Sequence, residues 1–192
     1  MRFRVFLLLG WLFSCSVSAL ADERVSICFN YGCITQHEAI YSDAQLNELR
    51  QLFAGAHDAV EERVAISSAI GRMLGWAGKQ TPIAADRGGN YADQSVYGRM
   101  DCIDHSTTTT RLLRMLEQRG FLRHHRVLEP IMRQRYLVLI HFSAQVEESR
   151  VANEGELAQR FVVDSWYFDN GQPAVVMPLA RWLAGDDPND VD

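Results

Sequence analysis

The apolar positions change period part-way along the chain. From Ala44 to Phe53, the residues Leu46, Leu49, Leu52 and Phe53 recur at helical spacing behind a Ser42-Asp43 pair suited to capping, which predicts a helix. A second helix is predicted from about Ala59 to Trp76, with Val60, Val64, Ile66, Ile70, Met73 and Leu74 as its buried stripe. Between Gly78 and Gly98 the pattern dissolves into Thr81-Pro82, Asp86-Arg87-Gly88-Gly89-Asn90 and scattered polar residues, a long loop of the kind that carries function. A third helix starts near Asp101 and ends at Gly120, a residue suited to a left-handed C-terminal cap. Its Thr107 to Thr110 run has poor helix propensity and needs burial against neighbouring structure.

Beyond Gly120 the runs become β-rich. Strands are predicted over Leu122 to Leu128, Tyr136 to Val146, Phe161 to Phe168 and Ala174 to Met177, separated by Glu129-Pro130 and Asp169-Asn170-Gly171-Gln172, with a short helix from Leu179 to Leu183. Helices followed by adjacent strands indicate an α+β fold, with N-terminal helices and the third helix packed on a mostly antiparallel sheet.

The first residues read as a leader. Arg2 and Arg4 form a basic start, Val5 to Phe13 an apolar core, and Ala19-Leu20-Ala21 a small-residue cleavage site, so residues 1–21 are assigned as a signal peptide. Nine apolar residues are too few to cross a bilayer, which takes roughly 20, and no later window comes close; the mature form is expected to have no transmembrane segment and to be periplasmic or secreted. Leu12-Phe13-Ser14-Cys15 also loosely resembles a lipid-attachment box, which leaves anchoring at Cys15 as an alternative. Residues 22–185 are read as a single domain and 186–192 as a solvated acidic tail. With 24 acidic against 19 basic side chains, two of the latter in the leader, an anionic partner is disfavoured: no nucleic acid, and no anionic membrane as the main partner.

Without Cys15, three cysteines remain: Cys28, Cys33 and Cys102. Close spacing around Phe29-Asn30-Tyr31-Gly32 in an exported chain points to a Cys28–Cys33 disulfide and a free Cys102. The competing reading is a metal site from Cys28, Cys33 and His37.

Cys102 opens the third helix, where the positive end of the helix and a nearby imidazolium would favour the nucleophilic thiolate. His141 and Asp164 each interrupt an otherwise apolar strand, Tyr136 to Ser143 and Phe161 to Phe168, and a carboxylate in such a place calls for a partner. Adjacent strands would let Asp164 fix the His141 tautomer and turn the other ring nitrogen toward sulfur. The catalytic candidates are therefore Cys102, His141 and Asp164. His105 is a substitute base, with no carboxylate placed to orient it; His124 and His125 read as edge or surface residues, and His37 and His57 as flanking helix starts. Taken singly, each candidate has an ordinary structural reading as a buried thiol, a hydrogen-bonded core histidine or a turn aspartate. Asn90, Gln94 and Tyr97 in the 78–98 loop are candidate second oxyanion donors, beside the backbone N–H of Cys102.

Asp101-Cys102-Ile103-Asp104 at a helix start, then His141 in a strand, then Val162-Val163-Asp164-Ser165-Trp166 in the next, resembles the Cys, His, Asp core of the transglutaminase-like superfamily within the papain-like fold. More narrowly it is similar to the bacterial transglutaminase-like cysteine peptidases, over about residues 57–178. The resemblance implies an exported cysteine hydrolase or acyltransferase acting on a protein or peptide substrate. It requires no cofactor, yet allows calcium at Asp101 and Asp104, which match acidic positions that help bind calcium in some of these peptidases. Two other readings stay open: a non-catalytic module of the same fold that binds a peptide or envelope partner, and a disulfide-stapled structural or assembly factor.

Overall fold

In the computed structural model the described residues are 22–89, 91–136, 138–149 and 158–188, so the leader, Cys15, Asn90 and the last four residues lie outside them. The chain opens on a hairpin that the apolar periodicity did not predict. β1 (Glu23–Phe29) and β2 (Thr35–Tyr41) pair antiparallel from Glu23↔Tyr41 to Phe29↔Thr35. Val25, Ile27 and Phe29 point into the core from one strand, and Ala39 and Tyr41 from the other. The polar Thr-Gln-His-Glu half of β2 hides this alternation, and it also places His37 in a strand rather than at a helix start.

α1 (Asp43–Ala54) begins on Ser42, which with Gln45 forms a full capping box, and α2 (Ala59–Gly78) on Asp58, whose side chain accepts from Glu61 N–H. Four of the six residues predicted for the buried stripe of α2 are buried. Val60 and Val64 are exposed, and the buried face is Ala65, Ile66, Ala69, Ile70, Met73, Leu74 and Ala77 with Glu62 and Gly71. Small residues let a neighbouring segment approach closely: a Cβ on Gly71 would sit 2.6 Å from the Gln172 carbonyl oxygen. Ser67 exchanges hydrogen bonds with the backbone of Ala174 on the same segment. Glu62 is buried because its carboxylate accepts the N–H groups of Arg123 and His124 and pairs with His125 Nδ1 at 2.9 Å. His125 is accordingly buried rather than at the surface, although the short strand it opens lies at the edge of the second sheet.

α3 (Cys102–Gln118) follows the loop and a short 3₁₀ turn at Pro82–Ala85, with Gly120 in the left-handed conformation after its end, at φ 70°. Thr108, Thr109 and Thr110 are buried, and Thr108 Oγ1 accepts from Cys28 N–H, which ties the helix to β1. The second sheet comprises β3 (His125–Val127), β4 (Ile131–Arg135), β5 (Leu139–Glu148), β6 (Arg160–Asp164) and β7 (Val175–Pro178), followed by α4 (Leu179–Ala184). It runs β3-β5-β6-β7, all antiparallel, with β4 on β5. The architecture is α+β, as expected. The core lies where Leu112 and Leu116 of α3 meet Ile27, Phe29, Ala144, Val146 and Val163.

Three strand expectations need correction. The first predicted strand shortens to three residues. Ile131–Arg135 is a strand that its polar Arg-Gln-Arg half did not reveal, and the run from Phe161 stops pairing at Asp164. The apolar stretch before His141 is not buried: Leu139 and Ile140 are exposed, and β5 has strands on both edges only from Ala144 on. The start of the acidic tail is held against the fold. Residues 186–188 are half-buried, held by Arg181 Nε on the Asp186 carboxylate at 2.6 Å and by Arg135 on the Gly185 carbonyl at 3.1 Å. Among the described residues no helix is long and apolar enough to cross a membrane.

Candidate active site

Cys102 is the first residue of α3, and Asp101 caps that helix in a reciprocal box with Asp104. The first intrahelical bond is His105 N–H to the Asp101 carbonyl, which leaves the N–H groups of Cys102 and Ile103 aimed out of the helix end beside the half-buried thiol. His141 and Asp164 approach from the sheet. The β5–β6 ladder ends at Ala144↔Val163, so Asp164 lies one step and His141 three steps past its end. Their side chains meet diagonally: His141 Nε2 lies 2.7 Å from Asp164 Oδ2. Trp182 Nε1–H donates to the same oxygen at 3.1 Å, and Trp166 N–H to Oδ1 at 3.2 Å. The carboxylate is thus fully partnered although it is buried.

With Nε2 on the carboxylate, Nδ1 remains for the Cys102 thiol, which lies within electrostatic reach of the imidazole. Burial opposes the imidazolium, but the hydrogen bonds to Asp164 and Cys102 and their negative charge outweigh it, raising His141 from 6.5 to about 9. Trp166, Trp182 and Tyr167 surround the ring, with centroids 5.0, 5.7 and 5.9 Å away. They exclude water from the Asp–His pair and strengthen its electrostatics. Cys102, His141 and Asp164, predicted from three separate segments, are brought to one place. A groove of about 610 Å³ lined by Glu147, Arg160, Pro178 and Leu179 contains none of them.

The loop before α3 contributes a residue that sequence reasoning passed over. Tyr91 packs on Trp166 at 4.8 Å. Burial raises its phenol; Arg133 pulls it back, and the charges of Cys102 and Asp164 raise it further, which sets the ring within electrostatic reach of the thiol. Of the proposed oxyanion donors, Gln94 is exposed, Tyr97 packs edge-on against Phe29 at 5.8 Å, and Asn90 lies outside the described residues. An exposed loop tyrosine carries no periodicity, so no sequence signal marked Tyr91.

His105, expected to lack an orienting carboxylate, has one. Its Nε2 is 3.0 Å from Asp86 Oδ2 and its Nδ1 2.9 Å from Ser165 Oγ, which also bonds Thr109 Oγ1 at 2.9 Å. Asp86 accepts Met100 N–H with its other oxygen. All four side chains are buried and both nitrogens of His105 are occupied, so this chain of bonds braces the loop, α3 and the strand end carrying Asp164 against one another.

Cys28 and Cys33 form a disulfide and Cys102 is free. The bonded sulfurs rule out the metal site with His37, which instead packs against Phe29. The loop between them turns through left-handed residues, Asn30, Tyr31, Gly32 and Cys33 at φ 65°, 67°, 64° and 57°. This aims successive N–H groups one way, a concave nest for anions. Tyr31 and Cys33 N–H donate to Asp104 at 2.8 and 2.6 Å, and Gly32 N–H to Asp101 at 2.9 Å. The remaining bonds run between the two aspartates, whose N–H groups donate to each other's carboxylates. Burial and the neighbouring Asp101 charge raise Asp104 to about 6, against those N–H bonds. Calcium takes six to eight oxygens at about 2.3–2.6 Å. Here every carboxylate oxygen of the pair already accepts an N–H, so these residues do not fit that ion.

No protein-family profile matches this chain, and searches of curated proteins and of solved structures return no match.

Proposed function

We propose that the chain is an exported cysteine hydrolase or acyltransferase acting on peptide or amide bonds, with a transglutaminase-like, papain-like arrangement of Cys102, His141 and Asp164. The observation that carries this reading is the 2.7 Å His141–Asp164 bond within electrostatic reach of a free thiol, Cys102, at the start of a helix. The disulfide and the leader-like first 21 residues support a periplasmic or secreted location.

In the mechanism, His141 holds the thiol proton and the Cys102 sulfur attacks the amide carbonyl. A C–S bond forms while the carbonyl π pair moves to oxygen. The N–H groups of Cys102 and Ile103 face the developing oxyanion, and loss of one such donor costs about 3 kcal/mol in comparable enzymes. Collapse breaks the C–N bond, and the proton on His141 passes to the leaving amine. Water, or a second amine, then attacks the thioester with His141 as base, releasing acid or new amide and restoring the thiol. Asp164 keeps the tautomer and stabilises the imidazolium without reacting. The test is turnover on a broad panel of peptides and amine-acceptor substrates. Cys102→Ser is expected to abolish it in a folded protein. No turnover by the wild type, together with unfolding of both Cys102→Ser and Asp164→Asn, would make the trio structural.

A further inference from the structure

β4 and β5 extend past the rest of the sheet as a two-stranded arm, paired from Ile131↔Ser143 to Arg135↔Leu139. The arm exposes large apolar side chains: Met132 is 46% exposed, Tyr136 76%, Val138 77%, Leu139 54% and Ile140 48%. Apolar side chains grouped in this way mark an interaction site. The arm also carries His141, and Leu139 lies two residues from it on the same face of the strand. β6 pairs with β5 only from Ala144 to Glu147, on the edge opposite β3, and β4 continues the β3 edge. Among the described residues, the edge of β5 from Leu139 to Phe142 that faces away from β4 therefore has no strand on it. An open edge is a template for an added strand.

Taking the proposed function as its basis, we infer that this arm recognises an extended polypeptide segment with apolar side chains, which lies along the open edge of β5 and leads its amide to Cys102. Charge favours a peptide of this kind over an anionic bilayer. The two arginines of the arm are turned inward: Arg133 donates to the Trp182 carbonyl and to Tyr167 Oη at 3.0 Å and lies 4.5 Å over the Trp182 ring. Arg135 donates to the Gly185 carbonyl. Neither is displayed to lipid headgroups, and Asp186 and Asp187 follow directly on the segment these arginines hold.

Matched tripeptidyl chloromethyl ketones, one apolar and one with glutamates in place of the apolar residues, test this on the full mature chain. Their rates of Cys102 alkylation are each divided by the rate with iodoacetamide, a reagent too small to reach the arm. The wild type is expected to prefer the apolar probe by about tenfold or more, the worth of burying one leucine-sized side chain. The preference should fall severalfold in Leu139→Ser/Ile140→Ser and in a second variant, Tyr136→Ser/Val138→Ser. Equal rates for the two probes, or a preference that survives both variants, overturns the inference. So does co-sedimentation of the wild type with phosphatidylglycerol vesicles that both variants lose, which assigns the arm to a bilayer. Slow iodoacetamide labelling indifferent to His141→Ala is a separate result: it removes the catalytic reading and this inference with it.

Discussion

Replacing Asp164 by Asn changes one charge at the centre of the site and leaves its shape. In the folded protein His141 is raised from 6.5 to about 9, a preference for the imidazolium of about 3 kcal/mol. That preference exists against burial and rests on Asp164 and Cys102. In Asp164→Asn the amide keeps an oxygen for Nε2–H but the anion is lost, while the burial remains, so His141 is expected to titrate at or below its ordinary value. At pH 7.5 the charged fraction would pass from about 30:1 in favour to about 1:10 against. The side-chain nitrogen signals of His141 followed by NMR between pH 5 and 10 report this directly. Near-ultraviolet circular dichroism checks that the fold persists, because Trp166 N–H and Trp182 Nε1–H also lean on the same carboxylate. A folded variant whose His141 titrates as in the wild type, or a wild-type His141 that titrates near 6.5, refutes the reasoning.

Other outcomes follow from the same structure. A histidine whose folded value lies above its unfolded one contributes stability that is complete below pH 6.5 and lost as the pH rises through about 9; thermal melts should show that alkaline loss in the wild type and not in His141→Ala. Glu62 behaves oppositely. Although burial raises it, the bonds to His125, Arg123 and His124 hold it below the usual carboxylate range, so its contribution is present above the unfolded value and fades as the pH falls through the acid range. Glu62→Ala, which strands buried donors, should cost about 3–5 kcal/mol in urea unfolding at pH 7, and a loss under 1 kcal/mol would contradict the network. Non-reducing peptide mapping should join Cys28 to Cys33, and Cys28→Ala/Cys33→Ala should lose about 2 kcal/mol for so short a loop. It should also slow Cys102 alkylation, because the loop it frees holds Asp101 and Asp104.

The helices were legible because their signals are local. Ser42 and Asp101 cap where their spacing said they would, and Gly120 ends α3 as a left-handed glycine should. His141 and Asp164 were legible because polar groups interrupting apolar strands need partners, and they found each other; Cys102 was legible as the odd thiol at a helix start. What stayed hidden depends on contacts distant in sequence. Glu62 reads as solvent-facing until three donors from 123–125 are brought to it, and Asp86 shows no link to His105 until the loop folds back. Val60 and Val64 misled because helical period marks a stripe without saying which small residues a neighbour will choose to pack on. β4 and the first hairpin were missed because half of β4 and half of β2 are runs of polar residues.

The claim on which the account turns is that Cys102 is an activated nucleophile paired with His141. Intact-mass kinetics of iodoacetamide alkylation at pH 6.0 measure it on the unmodified mature chain. The account predicts single labelling at Cys102, faster than that of glutathione under the same conditions, and slowed at least tenfold by His141→Ala in a folded protein. Labelling no faster than glutathione's, and unchanged by His141→Ala, would contradict it.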